Sequence, residues 1–154
     1  MKLFLISLLC LLLSPLHAES PGPLLIQPDS AWSMDFKEEN SLTLYSIYKK
    51  KSEHPSLTLT ILTQEASKER IQHYLTAMIS QLKVKTEDGP TFSLDSLKGG
   101  SISGEIVTFR LPSGLIDTHA IFSDDRIIWR TDYHGSIEEW KEALGFIQKI
   151  KRKE

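Results

Sequence analysis

The sequence has almost no cysteine. Its one thiol, Cys10, lies inside an apolar N-terminal run, so the rest of the chain forms no disulfide, no cysteine-ligated zinc site and no thiol nucleophile. Stability has to come from a packed apolar core, which a chain of this length can build. A charge excess is missing as well. The 18 basic and 20 acidic side chains leave a net charge of −2, without the concentrated basic surplus that nucleic-acid binding needs. Long apolar runs are absent too. The longest, Leu3 to Leu13, falls short of the roughly 20 residues a membrane-spanning helix uses. There is no glycine-rich phosphate loop ending in Lys-Ser/Thr. Gly100-Ser101-Ile102-Ser103-Gly104 has the outline of a nucleophile elbow, but Ile102 stands where the serine belongs. No two of His54, His73, His119 and His134 lie at the spacing of a zinc-binding helix.

What is present begins with an address. Met1-Lys2 is a short basic start, Leu3 to Leu13 is nearly all apolar, and Ser14-Pro15-Leu16-His17-Ala18 ends on a small residue. This is the layout of a secretory signal peptide over residues 1–18, cleaved after Ala18. Lipidation of Cys10 is disfavoured because Leu9, not a small residue, precedes it. The expected mature chain, residues 19–154, is one globular α+β domain, exported to the periplasm or beyond a bacterial cell and carrying no transmembrane segment. The basic tail Lys149, Lys151, Arg152 and Lys153 follows a helical pattern, where cations complement the helix C-terminus.

Periodicity supplies the elements. Leu24 to Ile26 reads as a short strand. Trp32, Met34 and Phe36 alternate with polar residues, and Leu42 to Lys49 and Leu57 to Leu62 alternate with apolar residues on both faces. Such a sheet needs cover on both sides. From Ser67 to Lys83, Ile71, Tyr74, Leu75, Met78, Ile79 and Leu82 form one helical stripe. Asp88-Gly89-Pro90 marks a turn, and Phe92, Leu94 and Leu97 a further strand. Ser136-Ile137-Glu138-Glu139 is a capping box opening a second helix, with Ile137, Trp140, Leu144, Ile147 and Ile150 as its buried stripe.

Between the helices, Ile106 to Asp132 reads as two successive hairpins closed by Pro112-Ser113-Gly114 and Ser123 to Arg126. Matching apolar faces predicts Phe109 opposite Ile116, Val107 opposite Thr118, Phe122 opposite Ile127 and Asp117 opposite Asp132. One face then holds Val107, Phe109, Ile116, Ala120, Phe122, Ile127 and Trp129. The other holds Ile106, Ile121 and Ile128, together with Arg110, Asp117, His119, Arg130 and Asp132. These last five are the candidate ligand-binding residues, because cross-strand neighbours bring two carboxylates, an imidazole and two guanidinium groups within reach of one another. Solvated ion pairs on an open face are the plain alternative. His134, just before Gly135, reads as a loop residue. No metal site and no cofactor is expected.

The order of these elements carries a resemblance. Trp32 precedes two strong strands, an amphipathic helix, a meander and a final helix, and Phe122-Ser123-Asp124-Asp125-Arg126-Ile127-Ile128-Trp129 with the following Ser136 to Lys149 resembles the close of PsbP-like domains. That superfamily includes an extrinsic subunit of the photosystem II oxygen-evolving complex, a Ran-binding nuclear import factor and small exported bacterial proteins. The resemblance implies a mainly antiparallel sheet flanked by two helices, an α/β/α sandwich, and a binding or assembly role more than an enzymatic one; it carries over no functional residue. The resulting expectation is a non-enzymatic binding or accessory module of the cell envelope acting on a protein partner. The alternatives are a metal or small-ligand binder using the polar half of the meander, and a minor hydrolase with His119 as base.

Overall fold

A computed structural model describes residues 21–84, 92–99 and 102–154. The signal-peptide reading and the Asp88-Gly89-Pro90 turn lie outside those residues. In chain order the strands are β1 (Leu24–Leu25), β2 (Trp32–Glu39), β3 (Leu42–Lys49), β4 (Leu57–Thr63), β5 (Phe92–Gly99), β6 (Ile102–Arg110), β7 (Ile116–Ser123), β8 (Ile128–Gly135) and β9 (Lys151–Arg152). The helices are α1 (Lys68–Val84), between β4 and β5, and α2 (Ile137–Ile147), between β8 and β9. Strands β2 to β8 make one seven-stranded sheet in the order β2-β3-β4-β8-β7-β6-β5, with every neighbouring pair antiparallel. A separate two-stranded sheet pairs β1 with β9.

The expected α/β/α sandwich does not form. Described residues are 47% strand and 22% helix, and seven strands dominate them, so this is a mostly antiparallel sheet protein carrying two helices. Geometry gives the reason. Seven strands about 4.8 Å apart make a sheet roughly 29 Å wide, whereas one helix is about 10 Å across and covers about two strands. A single helix on a face is a local brace and does not make a layer.

Each helix closes its own core. Trp140, Ala143, Phe146 and Ile147 of α2 bury against Tyr45, Ile47, Leu57, Leu59, Phe122 and Trp129, and Leu24, Ile26 and Ile150 complete that cluster from the chain ends. Leu75, Met78 and Leu82 of α1 bury against Val107, Phe109, Ile121 and Ile128 on the opposite side. The sequence stripe of α1 therefore holds, and Arg70, His73, Ala77, Ser80 and Gln81 lie on its exposed side. Both helix starts are capped by serine: Arg70 N–H donates to Ser67 Oγ at 3.2 Å and Glu139 N–H to Ser136 Oγ at 3.2 Å. Helix α2 stops at Ile147 with Gln148 as its cap and no cation in its last turn. Lys151 and Arg152 belong instead to β9, beside Leu25 and Leu24, so these two cations pair along a strand rather than extending the helix end. Lys49 sits 4.9 Å from the centre of the Trp32 ring, pairs with Glu142, and so ties β2 and β3 to α2.

The hairpin registers also differ from those expected. In β6–β7, Phe109 pairs with Asp117 and Arg110 with Ile116. The loop runs from Leu111 to Leu115, closed by Leu111 N–H to Leu115 O at 2.9 Å and Gly114 N–H to Leu111 O at 3.0 Å, with Gly114 at φ +84. This one-residue slip moves Val107 and Phe109 to the α1 side, and Ile106 and Arg110 to the other. In β7–β8 the shift is two residues, so faces are kept but partners change: Phe122 meets Trp129, His119 meets Asp132, and Asp117 meets His134. Asp124 Oδ1 sets this closure by accepting from the backbone of Arg126 at 2.8 Å and Ile127 at 2.6 Å.

Candidate functional site

On the α1 side of the sheet, β7 presents Asp117, His119, Ile121 and Ser123, and β8 presents Ile128, Arg130, Asp132 and His134. Helix α1 seals the Ile121 and Ile128 end. Beyond it the side chains turn polar, and the register decides who meets whom. His119 Nδ1 lies 2.5 Å from Asp132 Oδ1, and His134 Nδ1 lies 2.5 Å from Asp117 Oδ1. The expected juxtaposition of Asp117 with Asp132 is thus replaced by two imidazole–carboxylate pairs, which removes the like-charge penalty of two opposed carboxylates.

The arrangement has a local two-fold character. Asp117-Thr118-His119 and Asp132-Tyr133-His134 are both Asp-x-His segments, and antiparallel pairing matches the first residue of each to the last of the other. His134, expected in a loop, is the seventh residue of β8. The signal was available in the sequence, since Arg130, Asp132 and His134 continue one alternation and the Asp-x-His tripeptide occurs twice.

Asp132 is the hub. Arg130 donates to its Oδ1 from Nε at 2.9 Å and from Nη2 at 2.8 Å, beside the His119 contact. Burial pushes the Asp132 carboxyl up, but the hydrogen bonds from His119 and Arg130 and the positive charge of both outweigh it and hold the group below its ordinary value. Ionised Asp132 accepts, so His119 donates from Nδ1 and carries its lone pair on Nε2 when neutral. His119 is the more enclosed imidazole, with its side chain 17% exposed and its ring 6.0 Å from that of Phe109; His134 is 60% exposed. Of the five residues expected here, Asp117, His119, Arg130 and Asp132 share the site. Arg110 does not: the slipped β6–β7 register places it opposite Ile116, on the α2 side.

The site continues across the sheet. Opposite Asp132 on β4 is Thr58, then Ser46 on β3 and Asp35 on β2; opposite Arg130 are Thr60, Leu44 and Lys37. Among the described residues no helix element lies over β2 and β3 on this side, and Ser33, Asp35, Lys37 and Leu42 are exposed. The result is an open, largely polar surface. A cleft of about 140 Å³ lies between α1 and the β5–β6–β7 end, lined by Ile71, Leu75, Leu97, Glu105, Ile121 and Ser123 among others. None of the imidazole–carboxylate pairs borders it, so it gives His119 no walled space in which to act as a base. No group of three or more His, Cys, Asp or Glu among the described residues is placed to hold a metal ion. No helix among them is long and apolar enough to cross a membrane.

No family model matches the chain, and no curated protein matches it.

Proposed function

We propose that this protein is a small exported, non-enzymatic binding module of the cell envelope, and that it acts on a protein partner through the open polar half of its sheet. The observation that carries the reading is the uncovered surface of β2, β3, β4 and the polar end of β8. It presents Asp35, Lys37, Ser46, Tyr48, Thr58 and Thr60 beside the imidazole–carboxylate pairs. An uncovered face with both charge signs and many hydroxyls fits a polar protein surface, whereas small ligands bind in concave sites. Its area, about 400 Å² from strand spacing and length, is about half of the ~800 Å² a stable partner buries. Binding should therefore be transient. The basic-apolar-small layout of residues 1–18 supports export.

The test is site-specific photo-crosslinking in intact envelopes, with a photoreactive residue at Tyr48 or Thr60 and, as control, at Lys141 on the exposed side of α2. A discrete adduct from the two sheet positions and none from Lys141 is expected. Equal labelling from both sides, or no adduct from the sheet, would sink the proposal.

A further inference from the structure

Strand β2 forms one edge of the seven-stranded sheet, and the direction of its backbone groups is fixed from both ends. At the hairpin, Asn40 and Ser41 take positive φ, 49 and 68, a two-residue turn whose flanking pair, Glu39 and Leu42, exchanges both backbone bonds. At the other end, Lys50 N–H donates to Ala31 O at 2.9 Å. The odd-numbered residues of β2 therefore turn their backbone groups towards β3. Met34, Phe36 and Glu38 turn theirs outward, and nothing among the described residues bonds to them there. Such a row is a template for another strand.

Charged side chains on an edge ordinarily discourage pairing, but here their order selects a partner. Asp35 and Lys37 are exposed and lie on the same side of the sheet as Asp132. Two copies of β2 related by a two-fold axis through Phe36 pair antiparallel, with Asp35 of each opposite Lys37 of the other. The four charges then alternate around a rectangle, unlike neighbours along each strand and across the pair. These are the non-hydrogen-bonded positions of the new pair, where side chains approach most closely. Phe36 meets its own copy on the axis and Met34 meets Glu38 on either side of it, so about six backbone hydrogen bonds form. Other centres fail. An axis through Asp35 or Lys37 sets like charges directly opposite. One through Met34 sets Phe36 against Trp32, whose N–H is already given to Asp29 O at 3.1 Å. In the single chain Lys37 pairs with Glu39, their side chains 69% and 58% exposed, a contact weak enough to exchange.

We propose that β2 is a self-association edge: two copies of this chain join antiparallel through Met34 to Glu38, centred on Phe36, and merge their seven-stranded sheets into one. The two-fold keeps both open polar faces on the same side. Together they bring the ~400 Å² of one chain to about the ~800 Å² that a stable partner buries. The association needs no other protein, so it stands or falls apart from the docking proposal.

The experiment is sedimentation equilibrium of the purified exported protein over a dilution series, where a monomer–dimer equilibrium is expected. Asp35→Lys and Lys37→Asp each turn both cross-strand charge pairs into like pairs, and each should weaken dimerisation roughly 10-fold or more. Mixed together, the two variants regain unlike charges at both positions and should pair with each other as tightly as the unaltered protein pairs with itself. Both positions are exposed, so both variants keep the fold, which circular dichroism checks. A protein that stays monomeric across the series, variants that dimerise like the unaltered protein, or a mixture that does not pair would each overturn the proposal.

Discussion

Replacing Asp132 with Asn tests the electrostatic centre of the sheet. The substitution keeps the shape and one acceptor but removes the charge that His119 and two Arg130 nitrogens address at 2.5, 2.9 and 2.8 Å. A unit charge pair about 3 Å apart at an effective dielectric of 20 attracts by roughly 5–6 kcal/mol. Desolvation of both partners cancels much of this. Charge-assisted hydrogen bonds contribute about 1.5–3 kcal/mol net, and the amide keeps part of them, so the expected loss is about 1–3 kcal/mol. For a domain of this size that lowers Tm by about 3–5 °C for each kcal/mol. The pH dependence is the sharper readout. The Asp132 carboxyl is held low in the folded state, so its contribution is complete above the unfolded carboxyl pKa of about 4 and disappears as pH falls through the lower folded value. Urea unfolding of both proteins should show the full difference at pH 7 and a narrowing gap below pH 4. An equal difference at both ends of that range, or none at pH 7, would refute the reasoning.

Four further outcomes concern other parts of the fold. A methyl at Gly104 would stand 2.2 Å from Phe122 Cδ1 and 2.6 Å from the Ile121 carbonyl oxygen; because backbone is part of the clash, Gly104→Ala should cost about 1–3 kcal/mol in chemical denaturation, whereas Gly145→Ala, with open space around it, should stabilise α2 by about 0.5–1 kcal/mol. Removing the α2 cap with Ser136→Ala should cost about 1 kcal/mol, seen as a lower denaturation midpoint with an unchanged slope. Burial, then the charge of Glu139, raises the Tyr133 phenol above its ordinary value; the stability it contributes is intact below the unfolded phenol pKa of about 10 and is lost as pH rises towards the folded value; burial raises Tyr45 as well, so absorbance titration should show late tyrosine ionisation accompanying alkaline unfolding, and a Tyr133→Phe protein should lose one tyrosine equivalent of it.

Local signals carried most of the element list. The stripe of α1, the serine cap at Ser136, and the alternation in β2, β3 and β4 are all set by residues a few positions apart, so local spacing alone gave type and extent. The same alternation assigned Asp117, His119, Arg130 and Asp132 to one face. It misplaced Arg110, because the face of β6 depends on how the Leu111–Leu115 loop closes. It left out His134, because the following glycine drew attention as a turn residue while the backbone continued extended to Gly135.

By itself, then, the sequence determined that there would be two amphipathic helices, a long run of strands and an Asp-His-Arg cluster on the meander, since each follows from short-range spacing and from what must be buried. Tertiary structure alone decided the number of strands in one sheet, the limited cover each helix gives and the pairing of each imidazole with a carboxylate. Those depend on register, and register is fixed by loop hydrogen bonds such as those of Asp124 and Gly114 together with the packing of Phe109 under α1 and Ile116 under α2. A shift of one residue exchanges faces, and a shift of two changes every partner while leaving the pattern untouched. That is why the cluster could be located in the sequence, while its chemistry, two supported imidazoles in place of two opposed carboxylates, emerged only in the folded sheet.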